Sequence, residues 1–121
     1  MLNNNYKFFL YTIVIIFLPS HITADSSAII NNLKAEPGFS IEIFIDDIDT
    51  PRQIAESDAG NIFVGSRKGG KIISIDIDKN VRILAEGLSN STGVTFHEGD
   101  LYFSEVNSIW KIPNIDEALL S

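Results

Sequence analysis

The sequence predicts an all-β chain. Three observations lead there. Short runs rich in isoleucine, valine and phenylalanine follow one another from residue 40 to residue 112. They are separated by turns made of glycine, asparagine and aspartate. The runs and turns recur at an offset of forty residues from Ile54 to Val94, which shortens slightly later. Many short strands at even intervals, punctuated by such turns, are the signature of an antiparallel β fold.

The elements follow in order. Residues 25–36 are polar with one small apolar patch (Ile29, Ile30, Leu33), which suits a helical turn. Pro37-Gly38 marks a turn. Ser40–Ile45 alternates with strand period and is expected as a leading strand. Strands are then expected at Arg52–Glu56, Asn61–Ser66, Lys71–Asp76 and Val81–Glu86, and again at Thr92–His97, Leu101–Glu105 and Ser108–Ile112. The turns between them include Asp58-Ala59-Gly60-Asn61, Lys68-Gly69-Gly70, Asp78-Lys79-Asn80 and Glu98-Gly99-Asp100. Ile115–Leu120 alone reads as helix, with Asn114 as its cap.

The strands repeat. Residues 53–66 (QIAESDAGNIFVGS) match residues 93–104 (GVTFHEGDLYFS), and KIISI at 71–75 matches SIWKI at 108–112. A repeat of about 40–50 residues carrying four strands is the period of a propeller blade. Residues 52–86 supply a whole first blade, and residues 92–112 supply three strands of a second. A blade buries its faces only against neighbours. The expectation is therefore an incomplete β-propeller domain over 40–121, the opening part of a larger enzyme, preceded by a lead segment at 25–39.

The N-terminus reads differently. Phe8–Leu18 (FFLYTIVIIFL) is an apolar run with Lys7 before it and Pro19, Ser20 and Ile22-Thr23-Ala24 after it. A basic end, a short apolar stretch and a small residue at the cut form a signal peptide, expected over 1–24 with cleavage after Ala24. A bilayer span needs about 20 apolar residues, so an uncleaved anchor is the lesser reading. The expected location is periplasmic or secreted, with the membrane met only through this segment. Lys7 is the one charged side chain in 1–24, so the remainder holds eight basic and sixteen acidic residues, a net charge of −8. That surface repels phosphate backbones, which argues against nucleic acid as a partner. With no cysteine in the chain, neither a disulfide framework nor a lipidated cysteine is available.

In an antiparallel blade, the loops leading into first strands share a rim with the loops joining second and third strands. That rim gathers residues 49–53, 66–69, 89–92 and 105–107. It carries Arg52, Arg67 and Lys68, which suit a carboxylate or another anion through bidentate bonds. From geometry alone the favoured reading is that they are solvated loop charges, as surface charges mostly are.

The quoted segments resemble a known family. Residues 34–41 (KAEPGFSI), 58–67 (DAGNIFVGSR), 84–88 (LAEGL), 93–96 (GVTF) and 99–107 (GDLYFSEVN) look like the opening of the sorbosone/glucose dehydrogenases. These are six-bladed propellers that use pyrroloquinoline quinone (PQQ). The resemblance runs from about Leu33 to the end. It implies about one and a half blades of a six-bladed ring and an enzyme oxidising an aldose or sugar aldehyde. It also implies PQQ and Ca2+ as cofactors of the full-length protein, with the electron acceptor open. By position it assigns Arg52, Gln53, Arg67 and Asn90 to cofactor binding, although Ser89-Asn90-Ser91-Thr92 departs from the family's proline-asparagine pair at this point. No metal ligand is assigned within the chain. In such enzymes the cofactor carries the redox chemistry while the protein supplies a base and positive charge.

The family's catalytic histidine is expected beyond the second blade, so this chain by itself should be inactive. His21 falls in the signal segment, and His97 ends a strand beside Glu98-Gly99-Asp100 on the opposite rim, where it reads as a turn residue. Other motif matches dissolve. Residues 65–71 (GSRKGGK) fit seven positions of a P-loop, but Ile72 replaces the magnesium-binding serine or threonine and a strand follows. Asp76, Asp78 and Asn80 begin a calcium-loop spacing, yet Val81 stands where glycine is needed. Asp46, Asp47 and Asp49 read as a solvated acidic loop. Asn90-Ser91-Thr92 fits a glycosylation triplet, a pattern too short to carry weight. Two alternatives stay open: a non-catalytic binding propeller or a lactonase-like one, and a truncated reading frame with exposed sheet edges.

Overall fold

The computed structural model describes residues 29–121, and the signal-peptide reading of residues 1–24 lies outside them. The described chain is mostly β. Seven strands run in order: β1 (Pro51–Glu56), β2 (Ile62–Ser66), β3 (Lys71–Ile75), β4 (Val81–Ala85), β5 (Val94–His97), β6 (Asp100–Glu105) and β7 (Ser108–Ile112). A short helix, α1 (Ile115–Leu119), follows. β1–β4 form one antiparallel meander, sheet A, and β5–β7 form another, sheet B.

The pairing follows from the turns. Ser57 accepts the Gly60 amide and donates its own to Asn61, closing the β1–β2 hairpin. Asp76 closes β3–β4 by accepting the amides of Asp78 and Asn80, the side-chain turn that aspartate readily makes. β2 and β3 are buried on both faces, which explains their near-continuous apolar run.

One face of sheet A packs on sheet B. Phe63 and Ile72 meet Val94, Leu101 and Phe103, and Ile115 of α1 fills the remaining space. The other face of sheet A carries Val64, Ile73 and Ile75, on which Ile45 and Ile48 rest. The sheets approach most closely where β5 lies against β1 and β2. Gly65 marks that approach. A β-carbon there would stand 2.8 Å from the Thr92 carbonyl oxygen, so only glycine lets the backbones meet. β4 and β7 make no comparably close approach, although Leu84 and Ala85 of β4 and Ile112 of β7 border the same core.

Two expectations are corrected. Residues 40–45, expected as a leading strand, form no strand in the described chain. A strand needs a ladder partner, and this segment has none; its contribution is to place Ile45 over sheet A. Asn114 occupies the N-cap position of α1 but does not cap it with its side chain. It sits in the left-handed region (φ 46°, ψ 51°), and its amide donates to Asp100 Oδ1 at 3.0 Å. Asparagine is among the few residues that tolerate that conformation.

Candidate functional site

Strand direction sets two rims. β1, β3, β5 and β7 begin at one, which also holds the ends of β2, β4 and β6. The predicted site residues lie there. Thr50 organises it: its carbonyl accepts the Arg67 amide at 3.2 Å, and its hydroxyl accepts the amides of Lys68 (3.1 Å) and Gly69 (3.3 Å). The Ser66 hydroxyl donates to the Asp49 carbonyl.

Arg52 and Arg67 flank the Pro51–Ser66 pair. Pro51 faces Ser66 and Gln53 faces Gly65, so Arg52 opposes no residue of β2 and forms a β-bulge. Bulges re-aim a side chain and are enriched beside functional sites. The side chains of Arg52, Arg67 and Lys68 are exposed and make no hydrogen bond or ion pair among the described residues. Gln53 is differently placed, because its amide nitrogen donates across the inter-sheet junction to the Val94 carbonyl at 3.3 Å. Asn90 is exposed at φ 52°, on the connector between the sheets. The rim thus brings all four residues to one side while spending one of them, Gln53, on joining the sheets.

The connector is firmly held. The Ser91 hydroxyl is fully buried and lies 3.1 Å from the Ser66 carbonyl and 3.2 Å from that of Lys71. The Ser89 amide donates to Glu105 Oε2 at 3.0 Å, and Trp110 Nε1 donates to Glu105 Oε1 at 3.0 Å. The Ser89 amide first, and then the Trp110 indole, hold the Glu105 carboxyl below its ordinary range. The rim is therefore mixed in sign, with Asp49 and Glu105 among its cations.

The opposite rim holds features that the sequence did not reveal. Asp116 of α1 accepts from the Ser57 hydroxyl at 2.6 Å, the Asn61 side-chain amide at 2.9 Å and the Ala59 backbone amide at 3.4 Å. Arg82 Nη1 donates to the Leu119 carbonyl at 3.1 Å. Between β3, β4 and α1 lies a cavity of about 340 Å³, lined in part by Ser74, Arg82, Asp116, Glu117 and Leu119. Its one sequence signal is the acidic first turn of α1, Asp116-Glu117. His97 lies at this rim, exposed, 3.9 Å from Glu98. Among the described residues no three His, Cys, Asp or Glu side chains form a group that could hold a metal ion. No described helix is long and apolar enough to cross a membrane.

No family model matches the chain. It is 36% identical over 110 residues to a Borreliella burgdorferi protein described as an uncharacterized protein. The alignment takes in 88% of this chain and 28% of that protein. The chain therefore spans less than a third of its relative's length.

Proposed function

We propose that this chain is the opening section of a β-propeller of the periplasmic quinoprotein sugar dehydrogenase type. In this reading sheet A is a complete first blade and sheet B is three strands of the second. The observation that carries it is the junction of the two sheets, which meet most closely at their first strands, β1 against β5. Blades arranged around an axis pack in this way, with their first strands innermost.

The ligand-bearing side is the rim of Arg52 and Arg67. Both guanidinium groups have no internal partner among the described residues and stand at the mouth of the first strand, so they fit a group carrying carboxylates, as PQQ does. Asn90 would add a neutral donor, whereas Gln53 would act by fixing the junction. The quinone, when bound, accepts hydride from the sugar; the chain's own part is to bind and orient it. Calcium and the catalytic base are assigned to no residue here. The alternative, a binding or lactonase-like propeller, shares the architecture and differs in what the rim holds.

The test uses both proteins. The Borreliella relative, reconstituted with PQQ and Ca2+, should reduce a dye at the expense of aldoses. This chain should bind PQQ without turnover, and Arg52→Ala with Arg67→Ala should weaken that binding at least ~10-fold, as loss of charge-assisted bonds does. Relative and chain both failing to bind quinone would remove the dehydrogenase reading and leave the architecture standing.

A further inference from the structure

We propose that residues 39–45 of one copy of this chain add as a fourth strand to the free edge of β7 in a second copy. The inference concerns the isolated chain and does not depend on the quinoprotein reading.

Two features of the same molecule match. The segment Ser40-Ile41-Glu42-Ile43-Phe44-Ile45 alternates with strand period but has no ladder partner. Phe39, Ile41, Ile43 and Phe44 are left exposed along it. Sheet B, meanwhile, has one strand fewer than sheet A. Among the described residues β7 pairs only with β6, and Ile109 on it is 81% exposed and Trp110 49%. An apolar edge with unpaired backbone groups is a template for an added strand.

The segment does not reach this edge within its own chain. Ile45 and Ile48 anchor it to the face of sheet A that looks away from sheet B. Five residues, 46–50, join it to β1, and they span at most about 18 Å. Sheet A stands in between. Pairing of this segment with β7 is therefore pairing between two molecules.

Sequence complementarity fixes the register. Glu42 is the one charged residue in 39–45, and Lys111 is the one charged residue in β7. Set antiparallel with Glu42 opposite Lys111, the segment places Ile43 opposite Trp110, Ile41 opposite Ile112 and Phe44 opposite Ile109. Ile41 and Ile43 then join the face of Leu101 and Phe103, which β7 shares through Ile112 and Trp110. Ile41, Ile43 and Phe44 each meet an apolar residue, Ile45 falls opposite Ser108 at the strand's start, and the single charge on each strand meets its opposite. A slip of one residue would put Glu42 against Trp110 or Ile112 and reverse the faces. Lys111 already bonds Asp100 at 2.9 Å, so Glu42 would approach a lysine on the solvent face rather than a buried one.

The experiment measures association of the full chain by sedimentation at micromolar concentration. Wild type should associate, and Ile43→Pro, which removes an amide from a segment outside the folded sheets, should weaken association at least tenfold. Because the chain lacks cysteine, register is read directly by mixing Phe44→Cys and Ile109→Cys chains under oxidation. A disulfide-linked pair should form in clear excess over a control pairing Phe44→Cys with Ile77→Cys. A monomeric wild type, association unchanged by Ile43→Pro, or equal cross-linking in the control each overturns the proposal.

Discussion

The Ser57 hydroxyl donates to Asp116 Oδ1 at 2.6 Å and so ties the first hairpin to the helix that ends the described fold. Asn61 and the Ala59 amide complete the same carboxylate, which joins sheet A to the element that follows sheet B. Asp116→Ala removes an acceptor shared by three donors, and it should destabilise the fold by about 1–3 kcal/mol. Asp116→Asn, which keeps the shape and one acceptor oxygen, should cost less. Urea denaturation of both variants checks the order.

The inter-sheet junction should be intolerant of added volume. Gly65→Ala places a methyl group 2.8 Å from the Thr92 carbonyl, in backbone that Ser91 holds rigidly. Overpacking of this kind costs about 1–3 kcal/mol. Gly70→Ala should be no milder, since φ is +59° there and the Leu88 carbonyl oxygen would lie 2.5 Å from the new carbon. Ala substitution at Gly99, which has open space around it, meets only the strain of its positive φ of 85°. Thermal melts of the three variants should rank Gly99→Ala the least affected.

Acid should weaken the fold through three carboxylates. Lys111 holds Asp100 below its ordinary value of 3.8, Asn80 does the same for Asp76, and the Ser89 amide for Glu105. A carboxylate whose folded pKa is depressed contributes stability above its unfolded value and loses it as pH falls through the folded one. Their contribution should be constant from neutral pH to about 5 and decline below about 4. Lys111 is raised above 10.5 by Asp100, so its contribution is complete below that value and lost as pH rises through the folded one. Asp100→Asn should flatten both limbs of a stability–pH curve. These groups are all partly exposed, Asp100 less than Lys111, so added salt should shrink the effect.

Core truncation should be severe on the shared face. Phe63 is fully buried between the sheets, and Phe63→Ala should cost about 3–5 kcal/mol. Ile54, on the outward face of β1 and 68% exposed, should tolerate Ile54→Thr within about 0.5 kcal/mol. Equal losses at both positions by chemical denaturation would contradict the assignment of faces.

Seven strands were legible because β structure here is local: alternating residues, aspartate and glycine turns, and a repeat from Ile54 to Val94. The segment 40–45 was misread for the same reason, since its alternation is that of a strand but a strand also needs a neighbour. Asn114 marked the helix start correctly, while its mode of action depended on Asp100, fourteen residues earlier. The Arg52 bulge was not legible, because a bulge exists only as a register between two strands. Nor was Gln53's bond to Val94, which spans forty-one residues. Placement of the rim needed only strand direction; what each side chain does there needed the fold.

The most direct test is the structure of the Borreliella relative, determined by crystallography or electron microscopy. Its segment matching this chain should form a four-stranded sheet and three strands of the next, with the counterparts of β1 and β5 innermost in a closed ring of blades. A self-contained two-sheet sandwich, with the counterparts of β4 and β7 packed as closely as those of β1 and β5, would contradict it.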